Sequence, residues 1–327
     1  MTADLKPAEL STLGTLLSFK CQPVEYGYFM QEFGATQKHI DQSVARLIQH
    51  GCEIEQDMHS VRLIHTGLGV WTDYIQHALP KISQRCVEVY QTTGSTQDLV
   101  KAKAGKSAVI FADEQTAGRG RLGRQWIAPG GTGLLFSMTH TLPQDRPESI
   151  DRLSFLTAVA LAQAIERITG HCPVQIRWPN DIYVNHRKLA GILVETVHPS
   201  GSANATAVIG IGINVGLTQE HLADVPAELR TRVTSFAMLG WPIDRLHIAE
   251  RVIAQIDRNL HAQDVSLLVD EWRVRNLHQA RTLRLKADGQ TISGTVIDLD
   301  PDHGLIVRRD TGEIVHLPAA TTSVLDA

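Results

Sequence analysis

The chain has 327 residues, 43% of them hydrophobic and 20% charged, with a formal net charge of −4. This composition is ordinary for a soluble protein of two or three domains and argues against a generic polyanion binder. Cys21, Cys52, Cys86 and Cys172 form no Cys-x-x-Cys pair, which argues against a disulfide scaffold or structural zinc; without a membrane-length apolar run or a signal-type N-terminus, a cytoplasmic location and no membrane partner are expected.

The periodicity predicts three short helices first. Leu10, Leu13, Leu16 and Leu17 form a helical stripe, Glu25 to Phe33 a second helix broken by Gly34, and Thr36 to His50 a third with Ile40, Val44, Leu47 and Ile48 on one face. Cys52–Glu55 and Ser60–Ile64 then read as two strands of a small wing. Helix, glycine-containing turn and helix is a DNA-reading arrangement, and Gln37, Lys38, His39, Gln42, Ser43 and Arg46 place donors along its third helix. The local charge opposes this, with five Lys and Arg against eight Asp and Glu in the first 65 residues. Residues 66 to 85 read as a weakly patterned connector.

The central region alternates strands and helices. Strands are expected at Cys86–Tyr90, Ala108–Ala112, Leu134–Thr139, Ile176 through Val184, Leu189–Val197 and Ala207–Val215, with helices after Ser95-Thr96, at Asp151–Ile168 and at Arg245–Ala262. Asn185-His186 marks a turn between two of the strands. Neighbouring strands interspersed with helices indicate a mixed α/β (α+β) sheet. Beyond Trp272, short strands around Asp288-Gly289 and Thr311-Gly312 predict hairpins and a small β-barrel over 275–327.

Four segments carry polar or glycine residues where an apolar strand would otherwise continue. The densest is Gly118-Arg119-Gly120-Arg121-Leu122-Gly123-Arg124, in which guanidinium forks suit carboxylate or phosphate and glycine permits close backbone approach. Its Gly118-x-Gly120-x-x-Gly123 spacing matches the dinucleotide fingerprint, but a strand and not a helix is expected to follow, so that reading is rejected. The others are Thr93-Gly94-Ser95-Thr96-Gln97, Arg177-Trp178-Pro179-Asn180-Asp181 with Arg187-Lys188-Leu189-Ala190-Gly191, and Gly210-Ile211-Gly212-Ile213-Asn214. Each has a plainer reading: Ser95 and Thr96 as helix caps, Lys188 as a hairpin-end charge, Asn180 and Asp181 as turn residues. The fifteen histidines include no His-Glu-x-x-His and read as surface or core residues.

In this order and spacing the segments resemble biotin protein ligases over nearly the whole chain, and with the N-terminal helix-turn-helix they resemble the bifunctional type that also represses biotin synthesis. The resemblance implies a winged helix-turn-helix domain at 1–65, a linker at 66–85, a class II synthetase-like mixed-sheet ligase domain at 86–274 and an SH3-like β-barrel at 275–327. It implies activation of biotin with ATP and Mg²⁺ to biotinyl-5′-adenylate, and transfer to a lysine of the biotin carboxyl carrier protein of acetyl-CoA carboxylase. By the same resemblance Ser95, Thr96, Gln115, Gly191 and Gly210 line the biotin side, and Arg119, Arg121 and Lys188 gather around its carboxylate and the α-phosphate. Arg121 and Lys188 are the catalytic pair. Arg124, Trp126, Asn180, Asp181 and Asn214 fall on the nucleotide side together with Arg119 and Arg121, with Asp181 a candidate neighbour of Mg²⁺. Biotin operator DNA and an adenylate-dependent homodimer are the further partners implied.

Three positions depart from the family pattern. Arg177 replaces a common lysine, Asp57-Met58-His59-Ser60 replaces a glycine-tyrosine wing turn, and Thr321–Leu325 lacks an arginine that some relatives carry. Two rival readings remain at this point. A lipoate ligase would share the central architecture without the tandem-arginine loop, and an effector-sensing repressor without ligase activity would not need Lys188 and Arg121.

Overall fold

The computed structural model describes residues 3–79, 85–144, 148–223 and 227–325. The N-terminal helices are α1 (Pro7–Ser18), α2 (Tyr26–Phe33) and α3 (Gln37–Gln49), and the strands β1 (Val24–Glu25), β2 (Glu53–Gln56) and β3 (Ser60–His65) form an antiparallel sheet in the order β1-β3-β2. Gly34 ends α2 in the left-handed region at φ 62°, where a side chain would be strained. The expected connector is not featureless: it contains α4 (Trp71–Ala78), which buries Trp71, Tyr74 and Ile75. Residues 80–84 of that stretch lie outside the described residues. An aromatic-led helix of only two turns carries too short a stripe for periodicity to reveal.

The centre is a seven-stranded mixed sheet in the order β4-β5-β6-β10-β9-β8-β7. Its strands are β4 (Cys86–Thr93), β5 (Ala108–Gln115), β6 (Gly133–Leu142), β7 (Gln175–Arg177), β8 (Asp181–Val184), β9 (Arg187–Val197) and β10 (Ala205–Asn214). Only β4 and β5 run parallel, joined through α5 (Thr96–Lys101). The single strand expected from Ile176 through Val184 is two antiparallel strands, because Pro179 has no N–H for a ladder and the chain reverses between Arg177 and Asp181. Asn185 and His186, at φ 50° and 59°, make the tight turn from β8 to β9.

Alternation along these strands gives the sheet two different faces. Phe111, Phe136, Met138, Ile209 and Ile211 point into the main core, against α6 (Ile150–Thr169) and, later in the chain, α8 (Arg245–Leu260). On the opposite face Ile110 and Val208 pack with Val100 of α5, and Gly210 lies directly across from Ser137. The short α7 (Ala227–Arg230) and α9 (Ser266–Arg275), neither anticipated from the sequence, flank α8 in the chain.

The last sheet is antiparallel, with β11 (Thr282–Ala287), β12 (Gln290–Asp300), β13 (Gly304–Arg309), β14 (Ile314–Leu317) and β15 (Thr322–Val324) in the order β14-β13-β12-β11-β15. Asp288 and Gly289, at φ 48° and 82°, make the expected hairpin turn. The four cysteines are free, and no described helix is long and apolar enough to cross a membrane.

Candidate functional site

On the glycine-bearing face of the central sheet, one pocket gathers Ser95, Thr96, Gln115, Arg119, Arg121, Arg124, Trp126, Asn180, Asp181, Lys188, Gly191 and Gly210. The residues come from the end of β5, the α5 entry, the arginine loop, the β7–β8 turn and strands β8, β9 and β10. Glycine is required where the loop meets the sheet: a Cβ on Gly212 would sit 2.4 Å from Trp126 Cε2, and one on Gly191 2.9 Å from the same ring. A Cβ on Gly210 would sit 2.4 Å from Gln97 Oε1.

At one end the lining is a chain of neutral polar groups. Ser95 caps α5 by accepting from the Gln97 N–H at 3.3 Å, so the plainer reading of that residue also holds. Thr96 N–H donates to Gln115 Oε1 at 2.7 Å, and the Thr96 hydroxyl lies 2.8 Å from Ser137 Oγ, which donates to Gln97 Oε1 at 3.0 Å. Gln97 Nε2 donates onward to Glu195 at 2.9 Å, and Glu195 also accepts from Lys101 at 2.8 Å and Arg119 at 3.3 Å. Against the upward push of burial, the Lys101 ammonium and the Gln97 amide hold the Glu195 carboxyl below its ordinary value. Arg119 is fixed between Asp98 and Glu195.

The other end is cationic. The arginine loop folds back on itself, with Trp126 N–H donating to Gly118 O at 3.0 Å and Gly120 N–H to Arg124 O at 2.7 Å. A single 3₁₀ turn at Arg121–Gly123, with Leu122 at φ 54°, takes the place of any helix, in keeping with rejection of the dinucleotide fingerprint. Arg121 reaches across to the C-terminal sheet, donating to Ala319 O, to Thr322 O at 2.9 Å and to Asn180 Oδ1 at 3.3 Å. Burial pushes its guanidinium down to about 10, which leaves it charged at neutral pH. Lys188 Nζ pairs with Asp181 Oδ1 at 2.7 Å and stands 5.3 Å from the centre of the Trp126 ring. The Trp126 indole N–H is buried without a partner.

Residues 85–214 match the model of the Biotin/lipoate A/B protein ligase family. The biotin--[acetyl-CoA-carboxylase] ligase of Paracoccus denitrificans is 38% identical over 237 residues, covering 70% of this chain and 96% of that protein. The bifunctional ligase/repressor BirA of Bacillus subtilis is 30% identical over 226 residues, covering 68% of this chain and 67% of that protein. The chain belongs to the biotin protein ligase family. A solved relative, the biotin protein ligase of Aquifex aeolicus in complex with biotin and ATP, is 26% identical with a TM-score of 0.62 over 74% of this chain and 99% of that one. The mixed central sheet and the C-terminal antiparallel sheet are the architecture shared with such a biotin ligase.

For a biotin ligase site read from sequence, one residue falls outside the pocket lining. Asn214 is buried and spends its amide on Thr234 O at 3.0 Å and Lys188 O at 3.4 Å, so it braces the backbone under Lys188 and does not line the pocket. Among the α3 candidates, Gln37, Lys38, His39 and Gln42 are exposed. Ser43 is corrected: it is 6% exposed, one position before Val44 and three after Ile40, and faces the core. Arg46 leans on Glu9 at 3.6 Å. Gln97 lay within a marked segment but was given no role of its own, and sequence reasoning missed Ser137 and Ser323. Ser137 carried a signal, a hydroxyl inside an apolar strand, whereas Ser323 reaches the pocket through tertiary contact alone.

Proposed function

We propose that this protein is a biotin--[biotin carboxyl-carrier protein] ligase: it condenses biotin with ATP to biotinyl-5′-adenylate and pyrophosphate, then passes the biotinyl group to a carrier lysine. The observation that carries this reading is the single pocket, with a neutral polar end and a cationic end under one folded-back loop. Ser95, Thr96 and Gln115 meet the ureido head of biotin, whose buried polar groups cost about 1–3 kcal/mol each if left unpaired. Arg119, Arg121 and Lys188 offset repulsion between the biotin carboxylate and the α-phosphate, and stabilise the charge that builds as pyrophosphate leaves. Arg124, Trp126, Asn180 and Asp181 form the nucleotide side, and the closed loop keeps water from the mixed anhydride.

The donor set fits Mg²⁺ held mainly by substrate. Asp181 is the one carboxylate among the pocket-lining residues, and among the described residues no group of three His, Cys, Asp or Glu could hold a metal. Bound beside Asp181, Mg²⁺ would neutralise phosphate charge.

The finer domain assignments belong to the same proposal: a winged helix-turn-helix at 1–65, a linker at 66–85, the class II synthetase-like ligase domain at 86–274 and an SH3-like barrel at 275–327. The exposed Gln37, Lys38, His39 and Gln42 on α3 read operator DNA, and adenylate-dependent dimerisation doubles the phosphate contacts that one acidic copy lacks. The cytoplasm is the compartment where ATP and the carrier meet.

Incubation with biotin, MgATP and a biotin carrier domain tests the ligase reading by intact mass. One added biotinyl group on a single lysine, with pyrophosphate formed only when biotin is present, is expected; no mass shift, or equal transfer of lipoate, overturns it. Footprinting upstream of biotin genes with and without adenylate tests the repressor reading, and absence of a protected palindrome in both states removes it.

A further inference from the structure

A second cavity, of about 430 Å³, shares no lining residue with the ligase pocket. It lies where the end of α1 meets α6 and α8, and its walls include Lys20, Arg167, His247, Arg251, Gln255 and Arg258. Four of these six carry permanent positive charge, in a chain whose formal net charge is −4. Two of the cations, Arg251 and Arg258, cluster with His247 and Gln255 by periodicity, because positions 247, 251, 255 and 258 fall on one face of α8.

Acidic partners do not account for the cluster. Lys20 Nζ donates to the Ile168 carbonyl at 2.6 Å. Arg167 at 2.5 Å and Arg258 at 2.6 Å both donate to the same amide oxygen, Gln255 Oε1. That amide is itself fixed, since its nitrogen donates to Gln163 at 2.7 Å and Asn259 at 2.9 Å. Arg251 leans on Glu250 at 3.8 Å, and among the described residues no carboxylate pairs with Lys20, Arg167 or Arg258. Two guanidiniums converging on one neutral oxygen repel one another, and an anion between them would relieve that repulsion.

The floor supplies an independent observation. His247 is 4% exposed, lines the cavity, and its Nδ1 is buried without a hydrogen-bond partner. Burial, then Arg251 and Lys20, push its imidazole down to about 4, so at neutral pH it is uncharged with one N–H to donate. The neutral imidazole thus adds a polar, uncharged group to a wall that carries four cations.

We propose that this cavity binds a small polyvalent oxyanion of the phosphate class. Lys20 comes from the turn after α1 and the other groups from α6 and α8, so the anion ties the N-terminal region to the central sheet's helical layer. Inorganic phosphate and pyrophosphate share the required chemistry, and comparing them separates a metabolite monophosphate from a pyrophosphate.

Calorimetric titration of the full chain with each of these two anions, at matched ionic strength in chloride, tests the proposal. For phosphate one saturable event is expected, about tenfold weaker in Arg167→Gln or Arg258→Gln, a loss of about 1.4 kcal/mol; pyrophosphate, a product of the ligase reaction, adds a second event in the ligase pocket, and the arginine-sensitive event is the one that persists in Lys188→Ala. Both rim arginines are exposed, so these variants retain the fold. Three results overturn the proposal: no saturable binding, binding lost only in Lys188→Ala, which would put the anion in the ligase pocket, or duplex DNA alone responding to the two arginine variants.

Discussion

Replacing Arg121 by alanine removes donors from Ala319, Thr322 and Asn180 while also removing a cation from the pocket. Lys188 differs, because among the described residues its one ion-pair partner is Asp181, and its side chain is 28% exposed. Both substitutions are expected to slow single-turnover adenylation by about 10²–10³-fold, the scale for losing one transition-state donor. Only Arg121→Ala should also lower the melting temperature, since carbonyls left without donors cost about 1–3 kcal/mol. Equal melting of the two variants, or near-normal adenylation in either, would count against this division of roles. His278 gives a residue-level pH prediction: it is 2% exposed, both ring nitrogens lack partners, and burial with Arg177 and Arg281 pushes it from 6.5 to about 4. Because the unfolded chain binds the proton more readily, its contribution is complete above pH 6.5 and is lost as pH falls toward 4. The melting temperature of His278→Phe should therefore decline less across that window than that of the parent, and parallel curves would refute the assignment.

At the scale of elements, β9 and β10 act as a floor whose missing side chains set where the arginine loop rests. Gly191 and Gly212 are paired across the two strands, and Trp126 lies on both. Gly212→Ala should lift the indole, changing its fluorescence relative to a Trp126→Phe control and raising the KM for ATP more than the KM for biotin. If both KM values hold and the emission is unchanged, the close approach is incidental. The α5 entry combines two tasks in adjacent residues: Ser95 caps the helix while Thr96 faces Gln115 and Ser137. A cap and a ligand contact were competing readings of one motif, and separate residues perform them.

Across the whole molecule, the N-terminal helices share a continuous apolar core with the central sheet. Trp71 of α4 stacks edge-on against Phe111 of β5 at 5.3 Å, and Tyr74 donates to Glu250 of α8 at 3.0 Å. Thr66 is held through its N–H and hydroxyl by Asp244, the N-cap of α8, at 2.8 and 2.9 Å. Deleting residues 1–65 should therefore lower the melting temperature by exposing the α4 face that α1 covers, while removing the DNA binding proposed for α3 and leaving carrier biotinylation detectable. An unchanged melting curve in the truncated protein would show that the helices are merely tethered. The C-terminal sheet is coupled differently, through Arg121 and through Asp151, which accepts from the Ala319 N–H.

The pattern of residues determined most of the strands and long helices, because alternation and the 3.6-residue stripe are local consequences of burying one face. It also marked the glycine-arginine loop, Ser95-Thr96, Asn180-Asp181 and Lys188, each of which interrupts an apolar run, while their roles came from the resemblance to biotin ligases. Short or two-sided elements escaped it: α4, α9 and the break between β7 and β8 depend on packing partners or on one proline. What only the tertiary structure decided is how shared residue types divide their work. Asn214 and Asn180 look alike in sequence and both donate to backbone carbonyls, yet only Asn180 also lines the pocket, where its Oδ1 accepts from Arg121. Ser43 sits among donors along α3, yet the helix turns it inward. Arg121 meets Ala319 and Arg167 meets Gln255 across long sequence separations, and no local pattern encodes a contact made when separate elements close over a common core.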